Sequence, residues 1–353
     1  MTNIGILGAG QLGRMLALAG YPLGMRFRFL DPASDSPASL LADHLAFGYT
    51  DTAALEQFAN ALDVVTYEFE NVPVDAVRQL EKFVTVYPPS TALEKAQDRF
   101  VEKTFFHELG ISTPKFTIEL SKSGEIGFPA VLKTRRMGYD GKGQTVIRSQ
   151  AELMNAQAAD SILEEFVSFD RELSIIAVRS KSGGTRFYPL VENHHRDGVL
   201  RLSLVTGNVS DQMQKQAEEY ATRVMSALDY VGVLTIEFFE KDGRLLANEM
   251  APRVHNSGHW TIEGAVTSQF ENQLRALIDA PLGSTNPLGM CAMVNLIGSL
   301  PDVKSVLRIE GAHLHLYDKD PRQKRKLGHI TFVEKDDETL QEKLNRLKEI
   351  YDI

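Results

Sequence analysis

The sequence predicts a protein that is α/β at its N-terminus and α+β beyond, built as a parallel-sheet domain, a larger central unit and a small β-rich C-terminal domain. Short apolar runs alternate with helical stretches through roughly the first ninety residues, the pattern of a parallel sheet with helices on its faces. Pro88 and Pro89, and later Pro281 and Pro287, interrupt the pattern where neither a helix nor a central strand tolerates them. Between those breaks, helical periodicity gives way to apolar runs joined by glycine-rich or polar turns. The expected divisions are 1–91, then 92–280 with a small lobe at about 112–168, then 281–353. A chain of 353 residues is too long for one ordinary core.

In chain order, residues 3–7 read as a strand, 11–19 as a helix, 26–30 as a strand, 53–61 as a helix, 64–67 as a strand and 74–81 as a helix. The run 92–109 has helical periodicity and ends at Gly110, a C-cap position. Segments 128–136, 145–148, 161–167 and 172–178 read as strands. A helix at about 212–228 leads to strands at 233–239 and 244–250, which flank the hairpin signal Lys241-Asp242-Gly243. After Gly258 a further helix runs to about residue 280, and the tail mixes short strands with a charged helix.

The composition, 43% hydrophobic and 24% charged, is that of a soluble globular protein. No apolar run approaches the roughly 20 residues of a membrane span. The start MTNIGILGAGQLGR has no basic segment ahead of an apolar one and no small-residue cleavage site, so the cytoplasm is the expected compartment. The single cysteine, Cys291, excludes an internal disulfide and a multi-cysteine metal site, and reads as a small buried hydrophobe. A net charge of −9 opposes non-specific binding to nucleic acid but leaves room for a local basic pocket.

Gly8-Ala9-Gly10-Gln11-Leu12-Gly13 follows a strand and opens a helix, and Asp31 closes the next strand at about the spacing of a dinucleotide fingerprint. An NAD(P)-dependent oxidoreductase is therefore one reading. A plain strand-to-helix turn is a second, and a turn that meets a substrate phosphate or base is a third.

The central unit points to phosphoryl chemistry. Lys133 ends the apolar strand Phe128-Pro129-Ala130-Val131-Leu132, where an ammonium is costly to bury unless it meets an anion. Gly138-Tyr139-Asp140-Gly141-Lys142-Gly143-Gln144 then forms a glycine-rich loop whose N–H groups can fold over a triphosphate. It is not a Walker A loop. Glu164 and Glu165 lie on an apolar strand that suits a nucleotide-binding linker, one acid holding the ribose, or else form a solvated acid pair. Glu172 is a second ribose or catalytic candidate. Gly243 lies midway between Glu237 and Glu249, which places the two carboxylates nearly opposite each other. Like charges across an antiparallel pair repel, and a magnesium ion bridging phosphate oxygens would relieve them.

Ala251-Pro252-Arg253-Val254-His255-Asn256 then offers groups that hold anionic oxygens and manage protons. Arg99 is a further phosphate candidate or a helix-surface arginine. His194 and His195 either face the nucleotide or lie in a solvated turn. Lys319, Arg322, Lys324, Arg325 and Lys326 crowd one turn of an acidic protein, either solvated or delivering cations to a substrate phosphate.

With these residues in place, the chain resembles the N5-carboxyaminoimidazole ribonucleotide synthetases, ATP-grasp ligases of purine biosynthesis. The likeness spans nearly the whole chain through GQLGRM, GYDGKGQ, NEMAPRVHNSGHW and YDK…RKLGH. Biotin carboxylase and the D-alanine ligases usually carry asparagine where this chain has Ala251. The formate-using glycinamide ribonucleotide transformylase is a nearer alternative, but lacks the NSGHW continuation.

The resemblance implies an ATP-grasp fold between a Rossmann-like domain and a small β-rich domain, and a dimer. It implies ATP, Mg2+ and bicarbonate as participants, with neither NAD nor biotin, and 5-aminoimidazole ribonucleotide as the substrate carboxylated through carboxyphosphate. It implies ATP contacts from Arg99, Lys133, Gly138–Gln144, Glu164, Glu172, His195 and Asn248, with Glu249 beside them, and magnesium on Glu237 and Glu249. Arg253 and His255 would position bicarbonate and, with Lys133, form the catalytic set. Gln11, Tyr139, Asp140, Asn256, Lys319 and Arg325 would meet the ribonucleotide.

Overall fold

The strand Asn3–Leu7 is flanked in parallel by Arg26–Leu30 and Val64–Tyr67, and Asp43–Leu45 adds an edge to make a four-stranded sheet. Asn3–Leu7 and Val64–Tyr67 are nearly continuous apolar runs because both of their faces are covered, as parallel sheets require. The covering helices are Gln11–Gly20, Thr52–Ala59 and Val74–Leu80, the second capped by Asp51, which accepts from Ala54 N. The computed structural model describes residues 1–138, 141–156 and 159–353.

The helix expected over 92–109 is two helices, Ser90–Ala96 and Arg99–Glu108. Asp98 breaks the run. Its backbone is extended (φ −127°), and its carboxylate accepts from Phe100 N and Val101 N. Arg135 grips the same carboxylate at 2.7 Å. Apolar periodicity carries across such a break because both helices bury a face, so only the competing aspartate cap marks it. The break makes Arg99 the first residue of its helix.

Four antiparallel strands, in the order Phe116–Thr117, Ser161–Glu165, Ala130–Thr134 and Gln144–Ile147, form a small sheet. A larger, nine-stranded antiparallel sheet begins with the hairpin Arg244–Ala251 and Gly232–Lys241. It continues through Arg171–Arg179, Val191–Arg196 and Val199–Val205 to Met290–Ile297, Lys326–Glu334 and His313–Leu316. Thr185–Phe187 pairs beside Arg171–Arg179. The strands of the tail thus extend the central sheet through the pairing of Leu202 with Val294 and its neighbours.

Helix Gln269–Leu277 lies between this sheet and the N-terminal domain, where Phe270 and Leu274 share a buried cluster with Met15, Leu16, Phe27 and Phe29. Gln273 ties the two sheets: its Oε1 accepts from Val233 N at 2.5 Å and its Nε2 donates to Thr66 Oγ1 at 3.1 Å. Burial of these polar atoms is tolerable only because each has a partner.

Candidate active site

A cleft of about 1130 Å3 opens where the three sheets meet, larger than a typical single-ligand pocket. Its walls include Gln11, Lys133, Glu172, Glu237, Arg253 and Lys319, residues that the sequence scatters from one end to the other.

The N-terminal glycine turn reaches this cleft without presenting an open anion site. Glu68 accepts from Gly10 N at 2.6 Å and from Gly13 N at 2.9 Å, and Asp31 Oδ2 accepts from Ala9 N at 3.0 Å. A Cβ at Gly10 would lie 2.5 Å from Glu68 Oε1, so the turn is glycine-rich in order to seat the chain's own carboxylate. That carboxylate occupies the amides on which a dinucleotide's pyrophosphate would rest. Beside it, Lys319 donates to Gln11 Oε1, joining the first turn to the basic hairpin loop of the tail.

The hairpin Gly232–Lys241 and Arg244–Ala251 places the paired acids. Asp242 and Gly243 both have positive φ (51° and 71°), and Lys241 pairs with Arg244, a two-residue turn. That register alone would set Glu237 against Asn248. A β-bulge after Glu237 shifts the pairing by one, so Glu237 opposes Glu249 and Asn248 becomes the extra residue. The expected opposition holds, but the bulge produces it rather than a turn centred on Gly243. The same bulge lets the neighbours Asn248 and Glu249 both face the cleft.

Glu249 Oε2 meets Arg99 Nη1 at 2.7 Å, and Arg99 Nη2 donates to Gly138 O at 3.3 Å. Glu237 Oε1 meets His255 Nε2 at 3.0 Å. Burial alone would raise the Glu237 carboxyl, but first its hydrogen bond with His255, and then the surrounding basic groups, including His195 and Lys326, hold it well below the usual range. Among the described residues, no three His, Cys, Asp or Glu side chains cluster to hold an ion by themselves. Two carboxylate donors nevertheless suit Mg2+, which commonly binds through one or two carboxylates and completes its shell with phosphate oxygens and water.

Lys133 is held at the cleft by an anion beneath it. Its Nζ lies 2.9 Å from Glu164 Oε2 and 3.4 Å from Asn248 Oδ1. The same Glu164 oxygen meets Lys103 Nζ at 3.3 Å, and Lys103 also donates to Asn248 O at 3.0 Å. Glu164, one of two acids that the sequence offers for the ribose or as a solvated pair, is 1% exposed and engaged by two ammonium groups, so it anchors Lys133. Glu172 is more open and pairs with His195 Nδ1 at 2.9 Å. Burial pulls the His195 imidazole down, but the Glu172 hydrogen bond together with the charges of Glu237 and Glu172 raises the group overall. His194 turns the other way, half-exposed and 3.1 Å from Glu192. A second bulge, between His194 and His195, separates the two.

Burial would raise the Glu164 carboxyl, but Lys103 and Lys133 lower it to about 2. Its contribution to stability is therefore full above its unfolded value of 4.5 and lost as the pH falls toward about 2. Glu164→Gln leaves two ammonium groups without their anion and should cost about 3 kcal/mol at neutral pH. Urea melts at several pH values should show the variant lacking that part of the acid-dependent loss. Wild-type stability at pH 7 would remove Glu164 as the anchor.

Arg253 and Glu70 form another pair, Nε to Oε2 at 2.5 Å, with Arg253 Nη1 also donating to Val254 O. Burial pushes the Glu70 carboxyl up, and the guanidinium beside it brings it below its ordinary value. Neither Glu70 nor the buried Lys103 stood out in the sequence. Glu70 follows the C-terminal end of a parallel strand, where open α/β sheets bind ligands, and that position was its one available signal. His255 Nδ1 lies 2.9 Å from Ser257 Oγ. Asn256 is locked to Asn295 by reciprocal amide hydrogen bonds of 2.9 and 2.7 Å.

Gly141 (φ 74°) and Gly143 (φ 72°) have left-handed backbones, and a Cβ on Gly141 would come within 2.9 Å of Gly198 Cα. The glycine loop therefore docks against the turn at Asp197 and Gly198, with Lys142 and Gln144 on the cleft wall. Tyr139 and Asp140 lie outside the described residues. Arg325 donates to Asp320 O at 3.1 Å within the hairpin loop between His313–Leu316 and Lys326–Glu334. Arg322, Lys324 and Arg325 from this loop, and Lys326 at the start of the following strand, line the same cleft.

Comparison with known proteins agrees with this architecture. The ribonucleotide synthetase preATP-grasp domain matches residues 1–97, the ATP-grasp domain 104–270, and the phosphoribosylaminoimidazole carboxylase C-terminal domain 291–343. The N5-carboxyaminoimidazole ribonucleotide synthase of Pseudomonas aeruginosa is 52% identical over 352 residues, 97% of each chain. The N5-carboxyaminoimidazole ribonucleotide synthetase structure from Thermus thermophilus superposes with a TM-score of 0.95 at 54% identity, covering 99% of both chains. The Aspergillus clavatus N5-carboxyaminoimidazole synthase, in complex with ADP and 5-aminoimidazole ribonucleotide, gives 0.88 at 30% identity, again over 99% of both chains. With this likeness along its whole length and a cleft of matching chemistry, the chain belongs to the N5-carboxyaminoimidazole ribonucleotide synthase family of ATP-grasp ligases.

Proposed function

We propose that this chain carboxylates 5-aminoimidazole ribonucleotide, using ATP and bicarbonate, to form N5-carboxyaminoimidazole ribonucleotide. The observation that carries this reading is that one cleft gathers Lys133, the opposed acids Glu237 and Glu249, the Arg253–Glu70 pair, and Gln11 joined to Lys319. The first three suit a phosphoryl transfer to a small anion, and the last suits a ribonucleotide.

In this reading, Arg99, Lys133 and the loop through Lys142 neutralise the ATP phosphates, Glu172 holds the ribose, and His195 and Asn248 complete the nucleotide site. Glu237 and Glu249 hold Mg2+, which when bound draws charge from the transferring phosphoryl oxygens. Arg253 and His255 orient bicarbonate so that its oxygen takes the γ-phosphoryl group, giving ADP and carboxyphosphate. Carboxyphosphate breaks down to CO2 and phosphate, and the exocyclic amine of the ribonucleotide attacks the CO2 carbon and loses a proton. The glycine loop keeps water from that intermediate. Gln11 and Asn256 meet the base of the ribonucleotide, and Lys319 and Arg325 its phosphate. A homodimer and a cytoplasmic setting belong to the same proposal. Among the described residues, no helix is long and apolar enough to cross a membrane.

The test is phosphate release with Mg–ATP and bicarbonate, with and without 5-aminoimidazole ribonucleotide. Strong dependence on the ribonucleotide, with one ADP per carboxylated product, is expected. Mg–ATP should raise the melting temperature where NAD does not. Phosphate release indifferent to the ribonucleotide would assign the chain a different acceptor.

A further inference from the structure

Behind His255, on the side away from Glu237, a line of polar side chains crosses the interior of the large sheet. Ser203, Asn193, Ser174 and Ser257 are all between 0 and 4% exposed. Ser203 Oγ lies 2.8 Å from Asn193 Oδ1, and Asn193 Nδ2 lies 2.8 Å from Ser174 Oγ. Ser174 Oγ lies 2.8 Å from Ser257 Oγ, which is 2.9 Å from His255 Nδ1. These residues come from three neighbouring strands and from the short turn that follows the metal-site hairpin. Nothing in the phosphoryl chemistry described above calls for so much buried polarity at this place.

Hydrogen-bond chemistry gives the line a direction. An amide oxygen only accepts, so Ser203 donates to Asn193. The amide nitrogen only donates, so the Ser174 oxygen receives from Asn193. The orientation of that amide is set independently by Val191 O, 3.5 Å from Asn193 Nδ2, which would face an oxygen if the amide were turned over. With His255 Nδ1 as an acceptor, Ser257 gives its hydroxyl hydrogen to Nδ1, and its oxygen is left to receive from Ser174. The backbone N–H of Ser257 also points at Nδ1, at 3.3 Å, and only an unprotonated nitrogen accepts it. The ring hydrogen is left on Nε2, which faces Glu237 Oε1 at 3.0 Å.

We propose that Ser174, Asn193, Ser203 and Ser257 are positioning residues that hold His255 as the tautomer with bare Nδ1. His255 thereby donates from Nε2 to Glu237 and fixes the orientation of that carboxylate at the cation site. The inference rests on the reading of Glu237 as a cation ligand, and it makes His255 a donor in the resting site rather than a base. Outer partners of this kind commonly change metal affinity or activity by about 10- to 100-fold.

The test is a long-range 1H–15N correlation spectrum of the full chain with 15N-labelled histidine, the His255 signals being identified by their loss in His255→Gln. The wild-type spectrum should show Nδ1 unprotonated and Nε2 protonated. Ser174→Ala should mix the two forms and lower kcat for phosphate release about 10-fold, with the KM for ATP nearly unchanged. If that variant does not fold, Ser203→Ala, one step further from the ring, should give the same pair of changes. A proton on Nδ1 in the wild type overturns the proposal, as does a folded variant in which either the histidine spectrum or kcat stays at the wild-type value. The wild-type tautomer is measured without turnover, so it stands apart from the reaction assignment, which fails separately if phosphate release ignores the ribonucleotide.

Discussion

Glu249→Gln is expected to lower turnover with Mg–ATP by about a thousandfold, roughly 4 kcal/mol of transition-state stabilisation, while the apoprotein keeps its fold. The substitution preserves shape and removes one of two opposed charges. The Glu249 side chain is 40% exposed, and Arg99, at 15%, keeps Glu102 and Glu164 as nearby acidic partners, so the lost pair costs little folding stability. If the proposed cation site is right, it loses half of its protein charge, with Glu237 left to hold the ion alone. The melting temperature without ligand should therefore stay close to that of the wild type, and the rise caused by Mg–ATP should shrink, because that rise follows ligand affinity. The variant separates two accounts of the opposed acids. If they form a cation site, removing one relieves repulsion yet abolishes turnover. If they are two acids on a wet sheet face, relief is the sole effect and activity persists. Near-normal phosphate release would exclude Glu249 from metal binding.

The parallel sheet was legible because its period is local. Asn3–Leu7 and Val64–Tyr67 are apolar and Arg26–Leu30 alternates arginine with apolar residues, all three are strands in the structure, and the alternating helices follow. The hairpin acids were legible for a related reason, since a turn signal between two apolar strands fixes approximate partners. The bulge that completes their opposition was not, because one inserted residue leaves no compositional mark. Lys103 was hidden for another reason. Within Arg99–Glu108 it looks like an ordinary helical lysine, and only the approach of Glu164 and Asn248 from distant strands makes it a buried cation. Glu68 was hidden behind the glycine turn that it fills. The spacing Gly8–Gly13 with Asp31 is real, but a fingerprint records the room for an anion and not whose anion occupies it. The tail read as a unit by its proline break, whereas its strands join the central sheet through pairings too distant in sequence to be seen.

Arg253→Met should reduce turnover by at least about a thousandfold and leave the Mg–ATP-induced rise in melting temperature largely intact. Arg253 belongs to the irregular segment after the acid hairpin, and its Nε is 2.5 Å from Glu70, which the N-terminal domain supplies. The pair thus joins the domain that carries Gln11 to the one that carries the opposed acids. The guanidinium side chain is only 14% exposed, and with Glu70 holding one edge it is aimed rather than free to wander. An oriented fork can grip a small planar anion such as bicarbonate. A lysine offers a point charge without the fork, so Arg253→Lys should recover little of the loss. If Glu70 acts by aiming Arg253, then Glu70→Gln should lose about 10-fold, raise the KM for bicarbonate more than that for ATP, and add almost nothing to the loss in Arg253→Met. Independent roles would instead give losses that multiply. The double mutant is therefore the decisive member of the set: non-additive kinetics mark one anion-holding unit built across the domain boundary, and multiplied losses would leave Arg253 catalytic but Glu70 a structural neighbour.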